Sequence, residues 1–119
     1  MEVELVTTGR WMWAEYDSVI VQSEANDYRL HAKATGYRGN AGDAFNYNDA
    51  KTWRANGMSF STPDVDNDRL PKGSCALFAR SGWWFNWCSS SNLNGATASW
   101  FSSSVSASRM MLQCGAATD

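Results

Sequence analysis

A chain of 119 residues that is 44% hydrophobic and 13% aromatic, with seven Trp, can fill one compact core and is too short for two, so residues 1–119 are read as a single domain. Ten basic residues are scattered against twelve acidic ones for a net charge of −2, which leaves no basic stripe for a nucleic-acid backbone. The longest apolar runs, SVIVQ and CALFA, are a handful of residues against the roughly 20 that a membrane-crossing helix needs, so no membrane insertion is expected.

In chain order, MEVELV (1–6) alternates acidic and apolar residues, and WMWAEYDSVIV (11–21) and YRLHAKA (28–34) are rich in β-branched and aromatic side chains. They read as three strands of an antiparallel meander, separated by TTGR and SEAND. The opening residues lack the basic start and apolar middle of a secretory signal, which leaves two expectations: an intracellular chain, or a module cut from a longer secreted protein. GYRGNAGDAFNYNDAKTW (36–53) begins with three glycines and then places Asp43 to cap a short helix running toward Trp53. From Asn56 onward the text is rich in turn signals, with short strands expected at CALFAR (75–80), WWFNW (83–87) and RMMLQ (109–113). The Ser-rich stretch 89–109 is interrupted by Leu93, Trp100, Phe101 and Val105, and is read as an ordered loop.

Within FSTPDVDNDRLPKGSC (60–75), Asp64, Asp66 and Asp68 stand two residues apart. Ca²⁺ takes six to eight oxygen ligands, and carboxylates at that spacing on a turning backbone can converge on one ion. Pro71 fixes φ, and Gly73 can adopt a left-handed conformation that turns carbonyls inward. An EF-hand is excluded, since counting from Asp64 puts Arg69 where that loop needs Gly and Cys75 where it needs Glu. The competing reading is a solvated turn, because Asp and Asn bond their own backbone in ordinary loops. Downstream, Cys75 and Cys88 enclose twelve residues, and in an oxidised chain a bridge there would stabilise by about 3 kcal/mol on the loop-closure account.

FST (60–62), DVDND (64–68), CA (75–76), GWW (82–84), Cys88 and NLNG (92–95) follow one another in an order that resembles the fibrinogen-like domain, the C-terminal globe of fibrinogen chains, ficolins, tachylectins, angiopoietins and tenascins. VEL (3–5), AEYDS (14–18), YRL (28–30) and GYRGNAGDAF (36–45) agree, so the resemblance covers residues 3–95 nearly without gaps. It implies an α+β fold: a twisted antiparallel sheet of about five strands, one or two short helices and a long calcium-binding loop region. It also implies Ca²⁺ as the cofactor, held by the side chains of Asp66 and Asp68 and the backbone carbonyls of Leu70 and Lys72, with Asp64 standing behind them. Cys75 lies one position farther from Asp68 than is usual in the family, which could move the second carbonyl from Lys72 to Gly73.

The resemblance further pairs Cys75 with Cys88 and places a ligand pocket around a cis Trp87–Cys88 peptide, with backbone donors at Cys88 and Ser89 and an aromatic wall from Trp87, Trp100 or Phe101. Trp83 and Trp84 are read as core. Three departures stand out: the text starts at the VEL strand, the region after Gly95 is short, and Ser89 replaces the family's usual His. The chain is accordingly read as a minimal form of the domain. Cys114 has no counterpart and is expected as a free thiol. His31 is the only histidine, and no G-x-S-x-G elbow occurs, so catalysis is not expected. The expected function is extracellular, calcium-dependent recognition of acetylated glycans on microbial surfaces, with an oligomer as a way to multiply weak contacts. The alternative is a protein-interaction module of the fibrinogen or angiopoietin type that binds a peptide or receptor.

Overall fold

The structure is a computed structural model that describes residues 1–47, 53–101 and 103–114. Alternation in Glu2–Thr7 (β1) sends Val3 and Leu5 into the core, and β1 turns directly into Arg10–Tyr16 (β2) with Thr7 opposite Arg10. The two turn residues Thr8 and Gly9 both have positive φ, 51° and 76°, the twist that a two-residue hairpin needs. β2 also pairs with Tyr37–Gly39 (β5) and β1 with Ala107–Met111 (β9), giving an antiparallel sheet in the order β5-β2-β1-β9. Its outer face carries Trp11 and Trp13, and the Arg109 guanidinium lies 5.4 Å from the centre of the Trp11 ring.

The fold class is the expected one, antiparallel sheet with one short helix, but the strands are distributed over three sheets. Residues 11–21 break at Asp17–Ser18, so Val19–Val21 (β3) leaves the main sheet and pairs with Leu30–Ala32 (β4) alone. Ser91–Asn92 (β6), Ser99–Trp100 (β7) and Ser103–Ser104 (β8) form a third sheet, which gives the Ser-rich stretch its order.

Two expected strands are corrected. CALFAR is helical over Cys75–Ala79 (α1): the Ser74 side chain accepts from the Leu77 N–H at 3.2 Å, and Arg80, at φ 53°, ends the turn with its N–H on the Ala76 carbonyl. A serine cap outweighs the strand-like composition of five residues. WWFNW is no strand because Trp83, Trp84, Phe85 and Asn86 are all buried in succession, and only Trp83 exchanges hydrogen bonds with Ser61. The Asp43 cap is present locally, its carboxylate accepting from the Asn46 N–H at 3.2 Å over a turn at Ala44–Phe45. The rest of the expected helix, residues 48–52, lies outside the described residues.

The core is an aromatic cluster around Phe45, whose ring lies 5.0 Å from Tyr16, 5.3 Å from Trp100, 6.2 Å from Trp83 and 6.4 Å from Trp84. Tyr16 itself is buried, with its hydroxyl donating to Asp43 at 2.7 Å. Burial, reinforced by the Asp43 carboxylate, pushes the Tyr16 phenol far above the ordinary tyrosine value. A raised folded-state pKa means the fold holds that proton, so this contribution is complete below about pH 10, the unfolded value, and is lost as pH rises beyond it. Urea melts should show stability falling above about pH 10, and Tyr16→Phe should lower stability at neutral pH by about 1 kcal/mol while flattening the alkaline fall. An unchanged slope in the variant would mean that other tyrosines carry it.

Candidate functional site

The aspartate loop is built from side-chain bonds to its own backbone. The Thr62 hydroxyl donates to Asp64 at 2.7 Å, and this bond, with the loop's own N–H, holds the Asp64 carboxyl below the usual range. Asn67 anchors the loop, its side chain donating to the Phe60 carbonyl and its N–H to the Ser61 hydroxyl. Asp66 accepts the Asp68 N–H at 3.1 Å. Asp68 uses both oxygens: one accepts from Leu70 N–H at 2.8 Å, the other from Cys75 N–H at 2.7 Å. Burial, with Asp66 adding to it against those N–H bonds, holds the Asp68 carboxyl above its ordinary range.

Asp66 thus adds to the cost of charge on Asp68, and no arginine or lysine pairs with either among the described residues. Two hard carboxylates without a cationic partner fit a divalent ion of the calcium type. Among the described residues no third His, Cys, Asp or Glu joins them, so carbonyls and water would have to complete the shell. The left-handed residue in the turn is Lys72, at φ 57°, and not Gly73. At Gly73 a Cβ would come within 3.1 Å of both the Leu70 and Phe78 side chains, a tight approach that one of them would have to relieve.

From the loop the chain passes through α1 to the disulfide. Cys75 is bonded to Cys88, with Cα atoms 5.4 Å apart, and Trp87–Cys88 is cis. The segment after the bridge is laced to the core: the Ser90 hydroxyl donates to Ala44 O at 2.7 Å, and Ser90 N–H donates to Trp53 O at 3.3 Å. Ser89 and Ser90 form one side of a cavity of ≈ 190 Å³ whose other walls are Tyr47, Trp53 and Phe101. Tyr47 stacks on Trp53 at 6.2 Å and meets Phe101 edge-on at 5.5 Å. Phe101, at φ 54°, lies against Gly42, where a Cβ would come 2.7 Å from its ring. The N–H groups of Cys88 and Ser89 meet no acceptor among the described residues.

The expected ligand residues therefore divide. Ser89 and Phe101 line the cavity, with Cys88, partly buried, bonded behind it. Trp87 is exposed but is not a cavity wall. Trp100 is corrected: it is 2% exposed with its indole N–H on Gly42 O at 2.9 Å, so it is core. Tyr47 and Trp53 were not anticipated; two aromatic residues in a polar, turn-rich stretch were the available signal. A larger cleft of ≈ 530 Å³ at the ends of β1, β2 and β9 contains none of the expected site residues. His31 sits exposed on β4 opposite Ile20.

A carboxylate loop is thus tied through a disulfide to an aromatic cavity. The chain belongs to the fibrinogen C-terminal family, whose profile, described as the C-terminal globular domain of fibrinogen beta and gamma chains, matches residues 1–109. Human fibroleukin is 48% identical over 84 residues, which cover 71% of this chain and 18% of fibroleukin. The fibrinogen-like globe domain of human ANGPTL2 superposes with a TM-score of 0.67 at 39% identity, over 79% of this chain and 39% of that one. Lamprey fibrin D-dimer, solved with the peptide ligand Gly-His-Arg-Pro-amide, superposes with a TM-score of 0.69 at 35% identity, over 79% of this chain and 31% of that one. The chain thus spans well under half the length of each of these three relatives.

Non-reducing peptide mapping should recover Cys75 linked to Cys88 and leave Cys114, which is exposed and unbonded, open to alkylation. Any bridge that includes Cys114 would contradict the arrangement.

Proposed function

We propose that this chain is an extracellular recognition module that takes a protein or peptide partner in the cavity between Tyr47, Trp53, Phe101 and Ser89. The observation that carries the proposal is the cavity itself: among the described residues its lining is three aromatic walls and two serines, with no charged side chain. At ≈ 190 Å³ it holds one side chain or chain end, not a whole ligand. Aromatic faces accept a proline ring, an aliphatic side chain or, through their quadrupole, a cationic group. The N–H groups of Cys88 and Ser89, without an acceptor among the described residues, would bind a carbonyl of the same segment. The relatives support this partner class over the glycan reading, since the lamprey fibrin neighbour was solved with a peptide and the curated relatives are fibroleukin and angiopoietin-related proteins. They also support an extracellular setting, in which the Cys75–Cys88 bridge persists.

In this proposal Ca²⁺ sits at Asp66 and Asp68 and stiffens the loop behind the disulfide instead of touching the partner. Its supply of positive charge offsets the mutual repulsion that burial makes costly at Asp68.

Two outcomes test these statements. A displayed peptide library should yield binders whose affinity falls at least about tenfold on Trp53→Ala, the loss expected for a central aromatic contact. Binding to immobilised N-acetylglucosamine, with no peptide selected, would restore the glycan reading. For calcium, the signs are opposed. Without it, the raised Asp68 carboxyl favours the fold below about pH 4, the ordinary value, and opposes it as the group ionises above that, so in EDTA at neutral pH Asp66→Asn should melt no lower than wild type. With Ca²⁺ at about one hundred times Kd, wild type should gain about 2.7 kcal/mol and the variant should gain little. Identical melting of wild type in Ca²⁺ and EDTA would remove the ion from the account.

A further inference from the structure

The aspartate loop ends in α1, and α1 is amphipathic in an unusual sense for so small a helix. Cys75 and Ala76 are buried, while Leu77 and Phe78 are 57% and 74% exposed. Phe78 is more exposed than any other large hydrophobic residue described. Its ring and the partly buried Leu70 side chain flank Gly73, where a Cβ would be 3.1 Å from each, and with the exposed Leu77 preceding Phe78 in the chain they make this end of the loop apolar. Three cations border it. Arg69 flanks Leu70, Lys72 flanks Gly73, and Arg80 caps α1; all are exposed, and none has an ion pair among the described residues.

Over residues 60–80 these three cations are balanced by Asp64, Asp66 and Asp68, so the segment is neutral by itself. A divalent cation held by Asp66 and Asp68 would leave it with two positive charges. We propose that the α1 tip is a calcium-gated docking surface for an anionic lipid bilayer, with Leu77 and Phe78 entering the interface and Arg69, Lys72 and Arg80 facing the headgroup phosphates. The calcium half rests on the ion reading of the preceding subsection; the apolar tip and its cations do not. An acidic peptide would use the cations but leave a protruding Phe78 in water, whereas the headgroup boundary of a bilayer takes an apolar tip and a basic rim together. The contact is peripheral, since no described helix is long and apolar enough to cross a membrane.

The test is co-sedimentation of the full chain with phosphatidylcholine vesicles, with and without phosphatidylserine, in CaCl₂ and in EDTA, with melting temperatures taken in the same buffers. Wild type should bind the phosphatidylserine vesicles in calcium and bind at least about tenfold more weakly in EDTA. The Leu77→Ser/Phe78→Ser double variant changes only exposed positions, so it should keep its calcium melting shift and lose binding by about tenfold or more. A calcium melting shift with no vesicle binding overturns the docking surface and leaves the ion reading standing. Equal binding in calcium and EDTA with no melting shift overturns the calcium gate, while loss in the serine variant still upholds the lipid-facing tip. Wild-type binding by the serine variant overturns the tip itself. Binding of soluble polyglutamate by wild type and Phe78→Ser alike, without vesicle binding, assigns the cations to an acidic protein partner.

Discussion

Asp68 is the joint on which the site turns. One of its oxygens holds Leu70 N–H and closes the aspartate turn; the other holds Cys75 N–H and fixes the first residue of α1. Cys75 in turn is bonded to Cys88, and the residues after Cys88 are tied to Ala44 and Trp53. Position therefore passes from a carboxylate through a one-turn helix and a covalent bridge to the floor of an aromatic cavity. Each link is a charge-assisted hydrogen bond, a covalent bond or a bond made by a buried hydroxyl, so little slack is left along the path.

A carboxylate used this way carries a cost, because it is partly buried next to Asp66 and has only N–H donors to offset its charge. That cost falls on a loop that also places Leu70 and Cys75. The same loop exposes Phe78 and Leu77 on one side and supports Ser89 on the other. Two surfaces of different chemistry thus depend on one anchor: an aromatic cavity and a basic-rimmed apolar tip.

The legible and illegible parts of this molecule separate on physical grounds. β1 and β2 were readable because their alternation and aromatic content have one solution, a half-buried strand, whereas the strand expected at 109–113 lies two residues earlier, at Ala107–Met111. α1 was not, because five residues are too few for a period of 3.6 to show, and what makes them helical is the Ser74 cap. The paired tryptophans Trp83 and Trp84 were legible as core and are buried, but burial that continues through Phe85 and Asn86 is set by contacts with distant residues such as Phe45 and Phe60 and had no local pattern. At the site, the aspartates and both bridged cysteines carry motif spacing, and Ser89 follows from them. Trp53 and Tyr47 reach the cavity only through tertiary packing, and Trp100, placed on the cavity wall by the resemblance, instead turns its indole N–H to the Gly42 carbonyl within the core.

The account's central claim is that Asp68 supports the cavity from a distance. Amide hydrogen exchange of wild type and Asp68→Ala tests it most directly. The account predicts faster exchange in the variant at Leu70 and Cys75, which lose their acceptor, and also at Ser90 and Ser91 beside the cavity. Faster exchange confined to residues 66–75, with Ser90 and Ser91 unchanged, would contradict it.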